Sequence, residues 1–367
     1  MPINIQQRGY GMSRIPQTNY ATATPGNTSA PYNYTPVLVK DQNFANYRPE
    51  ARDNKGASTG SFYPTEVYTL SHDVENQKEL DIDSIMIGRF LLLALGSVVT
   101  TQPDAGGNPL VYQHVFKPMD FFASLQLPAT SWVERLGGGL NVLYPSNVVR
   151  RLRISGDGIN RINGNVEFQG SGKRTSPSGL IFAPTASYHI PPLGNFTYFT
   201  NSQLGLTVAD AVTLANPVPY CADKRVESWA VEIANTLLAE DAYRPCAGDY
   251  QTPGDNTSGA IRSEELIGDQ DIIEEFVVRL ETSSDEYAAL MTAKKLDWKI
   301  TLTGPTISTT YKHTLEIRSE LTQYQAIEIQ NKNGIAVLRI VPRALYDQAN
   351  NKIISFTLVN TEASYTV

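Results

Sequence analysis

The chain has few of the residues from which metal sites and disulfide frameworks are built. Its 367 residues include two cysteines, Cys221 and Cys246, and four histidines. Two cysteines are too few for a disulfide framework or a cysteine metal cluster. The histidines show no metal-ligand spacing with each other or with the cysteines. We therefore expect reduced thiols and no metal or other cofactor.

Charge is also scarce, and positive charge especially so. Charged residues make up 18% of the chain, and the net charge is −7. The longest basic run is Arg150-Arg151 followed by Arg153. A protein that binds nucleic acid tightly needs clustered lysine and arginine to displace counterions from the phosphates. The composition therefore predicts a protein that does not hold nucleic acid, although an acidic surface is compatible with letting DNA pass.

Long apolar runs are missing as well. The longest, residues 85–95, contains Gly88 and Arg89 and falls short of the roughly 20 residues that span a bilayer. The first ten residues are polar and contain no apolar signal core. We expect no membrane insertion and assembly in the cytoplasm.

The chain is instead rich in strand patterns that alternate apolar and polar residues. The same order of predicted elements occurs twice. Residues 67–173 read as a strand, a helix over 84–96 that begins at Ser84, and further strands. Residues 226–361 repeat that layout, with a capping box at Ser283-x-x-Glu286 that predicts a helix to about Lys295. Two unrelated strand–helix–strand domains would show the same layout, so duplication is one of two interpretations. The predicted organisation is an extended N-terminal arm over 1–60, a first domain with a long loop over 61–215, and a second domain over 216–367.

Two stretches of the second half give the clearest local signals. Residues 311–318 place Tyr311, His313, Leu315 and Ile317 on one face of a strand, which makes His313 a buried histidine rather than a ligand. Asn333-Gly334 predicts a type I′ hairpin between two strands.

Motifs that resemble catalytic sites fail in their context. Residues 56–60 (GASTG) match the GxSxG string but lie in the polar arm, without the strand and helix that a nucleophile elbow requires. Residues 170–173 (GSGK) are followed by Arg174 where a P-loop has serine or threonine. The acidic pairs 240–241 and 274–275 have no spacing that distinguishes acid–base chemistry from a solvated face. We predict that the protein is not an enzyme.

Taken together, the patterns resemble the tail tube proteins of long-tailed bacteriophages, of the type with a doubled tube domain. The resemblance covers about residue 67 to the C-terminus. It is carried by the leucine-rich helix ending at Gly96-Ser97 and by the stretches 112–116 (YQHVF), 144–155 (YPSNVVRRLRIS), 165–173 (NVEFQGSGK), 226–235 (VESWAVEIAN), 296–305 (LDWKITLTGP) and the closing strands through Asn360.

This resemblance implies a mainly β fold of two tandem β-sandwich or barrel domains, each with a flanking α-helix, beside the N-terminal arm. It implies rings that stack into a hollow tail tube in the virion, together with other tail proteins. Two tube domains per chain imply trimeric rings of pseudo-six-fold symmetry, the alternative being a hexamer. DNA would pass through the lumen without specific binding. Carboxylates on polar strand faces are then lumen-facing candidates, namely Glu167, Glu232, Glu316 and Glu328.

Two other interpretations stay open. A tail terminator or baseplate protein would also form rings, but the rings would not stack. A carbohydrate-binding β-sandwich module would use exposed aromatic rings, for which Trp132, Trp229 and Trp298 are the candidates, although each lies in or near a likely core strand.

Overall fold

The computed structural model describes most of the chain and shows that it is mainly β. The described residues are 9–18, 20, 22–27, 29–40, 44–53, 63, 67–119, 124–136, 140–157, 161–175, 197–199, 201–208, 226–238, 262, 264, 266–280, 290–293, 295–348 and 352–366. Strands account for 63% of these described residues, and a large antiparallel sheet contains them. The prediction of a mainly β protein is confirmed.

The elements follow one another along the chain in a single series. They are β1 (Gly9–Ser13), β2 (Tyr34–Val37), β3 (Asn46–Asp53), β4 (Val67–Asp81), α1 (Met86–Leu95), β5 (Gly96–Thr101), β6 (Tyr112–Pro118), β7 (Thr130–Leu136), β8 (Leu140–Asp157), β9 (Asn163–Gly170), β10 (Asn201–Val208), β11 (Val226–Leu237), β12 (Ile267–Arg279), β13 (Leu296–Thr306), β14 (Lys312–Lys332), β15 (Ile335–Ala344) and β16 (Ser355–Asn360).

Two long strands, β8 and β14, change partners along their length. The first half of β8 pairs with β7, and its second half pairs with β9 and β11. Between the halves, Ser146 has a positive φ of 62°, which marks a break in the regular strand. Likewise, the first half of β14 pairs with β13 and β16, and its second half pairs with β15. The sheet is thereby divided into two layers.

The first layer contains β3, β4, β9, the second half of β8, β11, β12, β15 and the second half of β14. The second layer contains the remaining strands. The layers face each other through buried aromatic side chains. The rings of Phe276 on β12 and Trp298 on β13 are 5.4 Å apart, and those of Phe168 on β9 and Trp132 on β7 are 5.6 Å apart. One hydrophobic core therefore extends between the layers.

Helix α1 lies inside this core, and all ten of its residues are buried. Its apolar residues on every side favour such a position. The helix ends at Gly96, whose φ of 84° is left-handed, as predicted. Its start differs from the prediction. The carboxylate of Asp83 accepts the backbone N–H groups of Ile85 and Met86 at 2.9 and 3.0 Å, while the Ser84 hydroxyl bonds to His313 Nδ1.

The described residues within the predicted arm form strands that pair with this same chain. β1 pairs with β7, β2 pairs with β1, and β3 pairs with β4. Tyr10, Met12 and Tyr34 are buried. The β1–β7 pairing joins residues more than a hundred positions apart, which no local pattern could indicate.

Several predicted features lie outside the described residues. They include the GASTG string at 56–60, both cysteines, His189 and most of the predicted helix at 283–295. In the part of the chain that the structure describes, no helix is long and apolar enough to cross a membrane.

Candidate functional site on the polar face of the sheet

The first layer buries one face and presents the other to solvent. On β4, Val74, Lys78 and Leu80 point into the core, whereas Glu75 and Gln77 point outward. This alternation follows from the period of two along a strand. We call the outward side of the first layer the polar face.

A row of alternating carboxylates and guanidinium groups runs across the polar face. We call this row the ion-pair belt. It consists of Glu167 on β9, Arg151 and Arg153 on β8, Glu232 on β11, Glu275 on β12, Arg339 on β15 and Glu328 on β14.

Glu232 is the centre of one half of the belt. Its Oε1 lies 2.9 Å from Arg151 Nε, and its Oε2 lies 3.4 Å from Arg153 Nη1. Arg151 Nη1 also reaches Glu167 Oε1 at 3.4 Å. Because the two guanidinium groups cover it, the Glu232 side chain is only 10% exposed.

Glu275 joins the other half. Its Oε1 accepts a hydrogen bond from Arg339 Nε at 2.9 Å, and its Oε2 lies 3.9 Å from Arg153 Nη2. Arg339 Nη1 reaches Glu328 Oε2 at 3.2 Å, directly across the β14–β15 ladder. Ala230 stands opposite Glu275 on β11, and its small side chain leaves space for Arg153 to reach across. In the order of the sheet, the belt therefore crosses six adjacent strands, namely β9, β8, β11, β12, β15 and β14.

A β-bulge brings Arg151 into the belt. The β8–β9 register shifts between Val149 and Arg151, so Arg150 is an extra residue on β8. Arg150 and Arg151 are consequently both about half-exposed. The bulge explains why Arg150 interrupts the apolar alternation of this segment in the sequence.

The four lumen-facing candidates fall into two groups. Glu167, Glu232 and Glu328 lie together on the belt. Glu316 lies on the first half of β14, in the second layer, where its Oε2 is 3.3 Å from Lys299 Nζ. The sequence analysis noted Arg151 and Arg153 as part of a basic run and Glu275 as part of an acidic pair, but it assigned neither them nor Arg339 to a common surface. Strand alternation alone places Glu275 on the face opposite Phe276, but only the pairing of strands reveals that these groups meet.

The acidic pair at 274–275 is divided between two environments. Glu275 is on the polar face, but Glu274 is fully buried, which corrects the expectation of a solvated pair. Trp298 Nε1 donates to Glu274 Oε2 at 3.0 Å, and Glu274 Oε1 has no hydrogen-bond partner among the described residues. Burial raises the pKa of Glu274 to about 8, opposed by the Trp298 hydrogen bond and by Arg343.

This carboxyl group makes stability depend on pH. The pKa of Glu274 in the folded protein is above the unfolded value of 4.5. The group therefore contributes most to the free energy of unfolding below pH 4.5, where it is protonated in both states. Stability is then lost as the pH rises toward 8. Glu274→Gln keeps an acceptor for Trp298 but cannot ionise. We expect its stability advantage over wild type to grow by at least about 1.4 kcal/mol, one pKa unit, between pH 5 and pH 8.

Urea unfolding of both proteins across this pH range would measure the difference. Near pH 4 both side chains are uncharged, so the two curves should converge there. Parallel curves from pH 4 to pH 9 would contradict the assignment.

The described histidines are all held by neighbours in the fold. His313 is buried and bonds to Ser84, in agreement with the prediction. His114 contacts Thr100 and Asn360, and burial lowers its pKa. Among the residues that the structure describes, no three histidine, cysteine or acidic side chains are grouped as metal ligands would be.

All three tryptophans lie in the core. Trp132 and Trp298 are fully buried, and Trp229 is 4% exposed. None of these rings offers a face on which a sugar could stack.

The fold and the site together define a mainly β protein with a large antiparallel sheet and an ion-paired polar face. No protein-family model matches the chain, and no curated protein matches its sequence.

Proposed function

We propose that this protein is a structural virion component that assembles into stacked rings and forms the tail tube of a long-tailed phage, through which DNA enters the host. The sequence resemblance motivates this function. The observation that carries it is the first layer: a broad sheet with one apolar face, one polar face, and at each side a strand whose outer edge pairs with no described strand. Such a sheet can continue from one copy to the next around a channel.

The first unpaired edge is the second half of β14. Residues 324–332 pair with β15 on one side, and no described strand lies on the other. Ile329 on this strand is 61% exposed. An unpaired edge with an exposed apolar side chain favours pairing with another chain.

The second unpaired edge is β3. It pairs with β4, and none of the other described strands pairs with it. We propose that β14 of one copy joins β3 of the next, so that the first layers form a closed wall and no edge of the first layer stays exposed.

In this proposal the chain contains two tandem tube domains, with boundaries near residues 61–215 and 216–367, and α1 as the flanking helix of the first. Strands of the two segments also pair with each other, since β8 pairs with β11 and β16 from the second segment pairs with β6 from the first. The two domains would therefore share one sheet. Two units per chain favour three chains per ring over a hexamer. Other tail proteins would contact the ends of the tube.

Glu167, Glu232 and Glu328 face the lumen in this assembly. Glu316 lies in the opposite layer and is therefore assigned to the outer surface, which changes the role expected for it from the sequence.

Electron microscopy of the concentrated, purified chain tests this function. We expect rings and tubes with an open channel. Single rings that never stack would favour a terminator or baseplate protein instead. Monomers that bind glycans would favour a carbohydrate-binding module, and monomers at every concentration would contradict assembly itself.

A charge on the β14 edge should prevent the rings from forming. Ile329→Lys adds a long cationic side chain where the neighbouring copy would pair, and the exposed position lets the chain fold normally. We expect monomers by light scattering and no tubes by microscopy.

Val99→Lys is the matched control. Val99 is 54% exposed on β5, which lies at the end of the second layer and outside the proposed contact. This variant should assemble like wild type. If Ile329→Lys forms tubes as readily as Val99→Lys, the β14 edge is not the contact.

A further inference from the structure

The ion-pair belt has a regular electrostatic pattern. Each of its three guanidinium groups contacts two carboxylates, and each of the two inner carboxylates contacts two guanidinium groups. Four carboxylates and three guanidinium groups leave a net charge of −1 (−4 + 3) on the belt. This face is therefore nearly neutral and densely charged, not uniformly acidic.

Other cations of the polar face are held in the same way. The following each lie 4.0 Å or less from a carboxylate oxygen: Arg48 and Arg150 at Glu75, Arg279 and Lys332 at Glu227, and Arg343 at Asp271. These cationic side chains of the polar face thus form ion pairs with carboxylates of the same chain.

Stability does not account for the belt. Exposed ion pairs contribute about 0–1 kcal/mol each, and the belt arginines are between a third and a half exposed. Free arginines on such a face would instead have a large effect on nucleic acid, because a guanidinium group binds phosphate with two parallel hydrogen bonds. A face of carboxylates alone would place like charges on neighbouring strands, which destabilises a sheet.

We propose that the ion pairs of the belt neutralise its arginines and thereby prevent the polar face from binding the phosphates of duplex DNA. The carboxylates occupy the arginine donors, and the arginines allow the carboxylates to lie side by side on adjacent strands. DNA then contacts a hydrated surface on which these arginines are already paired with carboxylates, and it slides along that surface. This inference rests on the proposed function, since it describes how the lumen face interacts with the DNA that passes through the tube.

Removing the two inner carboxylates should convert the face into a DNA-binding surface. Glu232→Gln with Glu275→Gln preserves side-chain shape and removes both carboxylates from Arg153. Arg151 and Arg339 keep one carboxylate each, Glu167 and Glu328, and the net charge of the belt changes from −1 to +1. We expect the unassembled chain to bind a short fluorescent duplex at least about ten-fold more tightly than wild type at low salt. Because Arg153 is freed of both carboxylates, log K should fall with log salt with a slope steeper by at least about 0.9.

The matched control is Glu316→Gln with Glu320→Gln in the second layer. It removes the same charge from partners Lys299, Arg318 and Lys352, so an effect of net charge alone would appear equally in both variants. We expect the control to bind DNA within about two-fold of wild type. Equal binding by the two variants would overturn the inference.

A second comparison identifies the surface. Adding Arg151→Gln and Arg153→Gln to the belt variant should abolish most of the gained binding, and persistence of that binding would also overturn the inference. If the double glutamate variant does not fold, DNA binding by the Glu275→Gln variant is measured instead. We expect a smaller gain in affinity for that variant. An affinity equal to that of wild type would contradict the inference. Because binding is measured on unassembled chains, failure here is distinct from a failure to form tubes.

Discussion

Replacing Glu134 with glutamine is expected to lower the free energy of unfolding by about 3–5 kcal/mol. Lys78 and Glu134 are both fully buried, and Lys78 Nζ lies 3.1 Å from Glu134 Oε1. Lys78 Nζ also lies 4.7 Å from the ring centre of Tyr10. Glutamine at position 134 would remove the carboxylate that balances this buried ammonium group.

The pair also joins the two layers, since Lys78 is on β4 and Glu134 on β7. Glu134 further accepts the Trp132 indole N–H and the Ala45 backbone N–H, at 3.1 Å each to Oε1. Glutamine retains an oxygen for these two donors, so the expected loss reports on the lysine charge alone.

The double variant Lys78→Met with Glu134→Gln provides the test of that cause. Methionine has a similar length and no charge, so most of the lost stability should return. Guanidinium unfolding of the three proteins measures the effect. A single variant within about 1 kcal/mol of wild type, or a double variant no more stable than the single, would contradict the explanation.

Replacing Tyr365 with alanine is the second change with a large expected effect, about 3–5 kcal/mol. The ring is buried against His114 and Phe116, with centroids 4.7 and 5.7 Å away. Its hydroxyl donates to the Ile85 carbonyl at 3.0 Å and accepts from Asn360 Nδ2 at 2.6 Å. Alanine would leave a cavity over the start of α1.

Gly88 provides the coupled partner for this experiment. A Cβ at position 88 would lie 2.2 Å from Tyr365 Cζ, so Gly88→Ala alone should be destabilising because it displaces the ring. In the double variant the new methyl group enters the cavity left by the tyrosine. Its loss of stability should be smaller than the sum of the single losses, and strict additivity would show that the two residues do not compete for space.

Local patterns in the sequence predicted the features that depend on near neighbours. Asn333 and Gly334 have φ values of 54° and 84°, as a type I′ turn requires, because the turn is determined by its own residues. His313, Leu315 and Ile317 share the buried side of β14, because alternation is a property of a single strand.

Features that depend on distant partners were missed. Residues of the predicted arm carry no sustained periodicity, yet Tyr10 and Met12 fill part of the core because β7 supplies the pairing strand. Ser84 and Asp83 are equally good capping residue types, but Asp83 takes that role while the Ser84 hydroxyl bonds to His313 on β14.

The sequence by itself determined that the chain is mainly β, that its charge is low and acidic, and that its strands carry charged side chains at alternate positions. Only the tertiary structure decided which of those charges meet. Arg151, Glu232 and Glu275 come from three strands, and an ion pair requires its atoms to lie within about 4 Å. That proximity depends on strand order and register, which are settled by the burial of the opposite, apolar face against the second layer and α1.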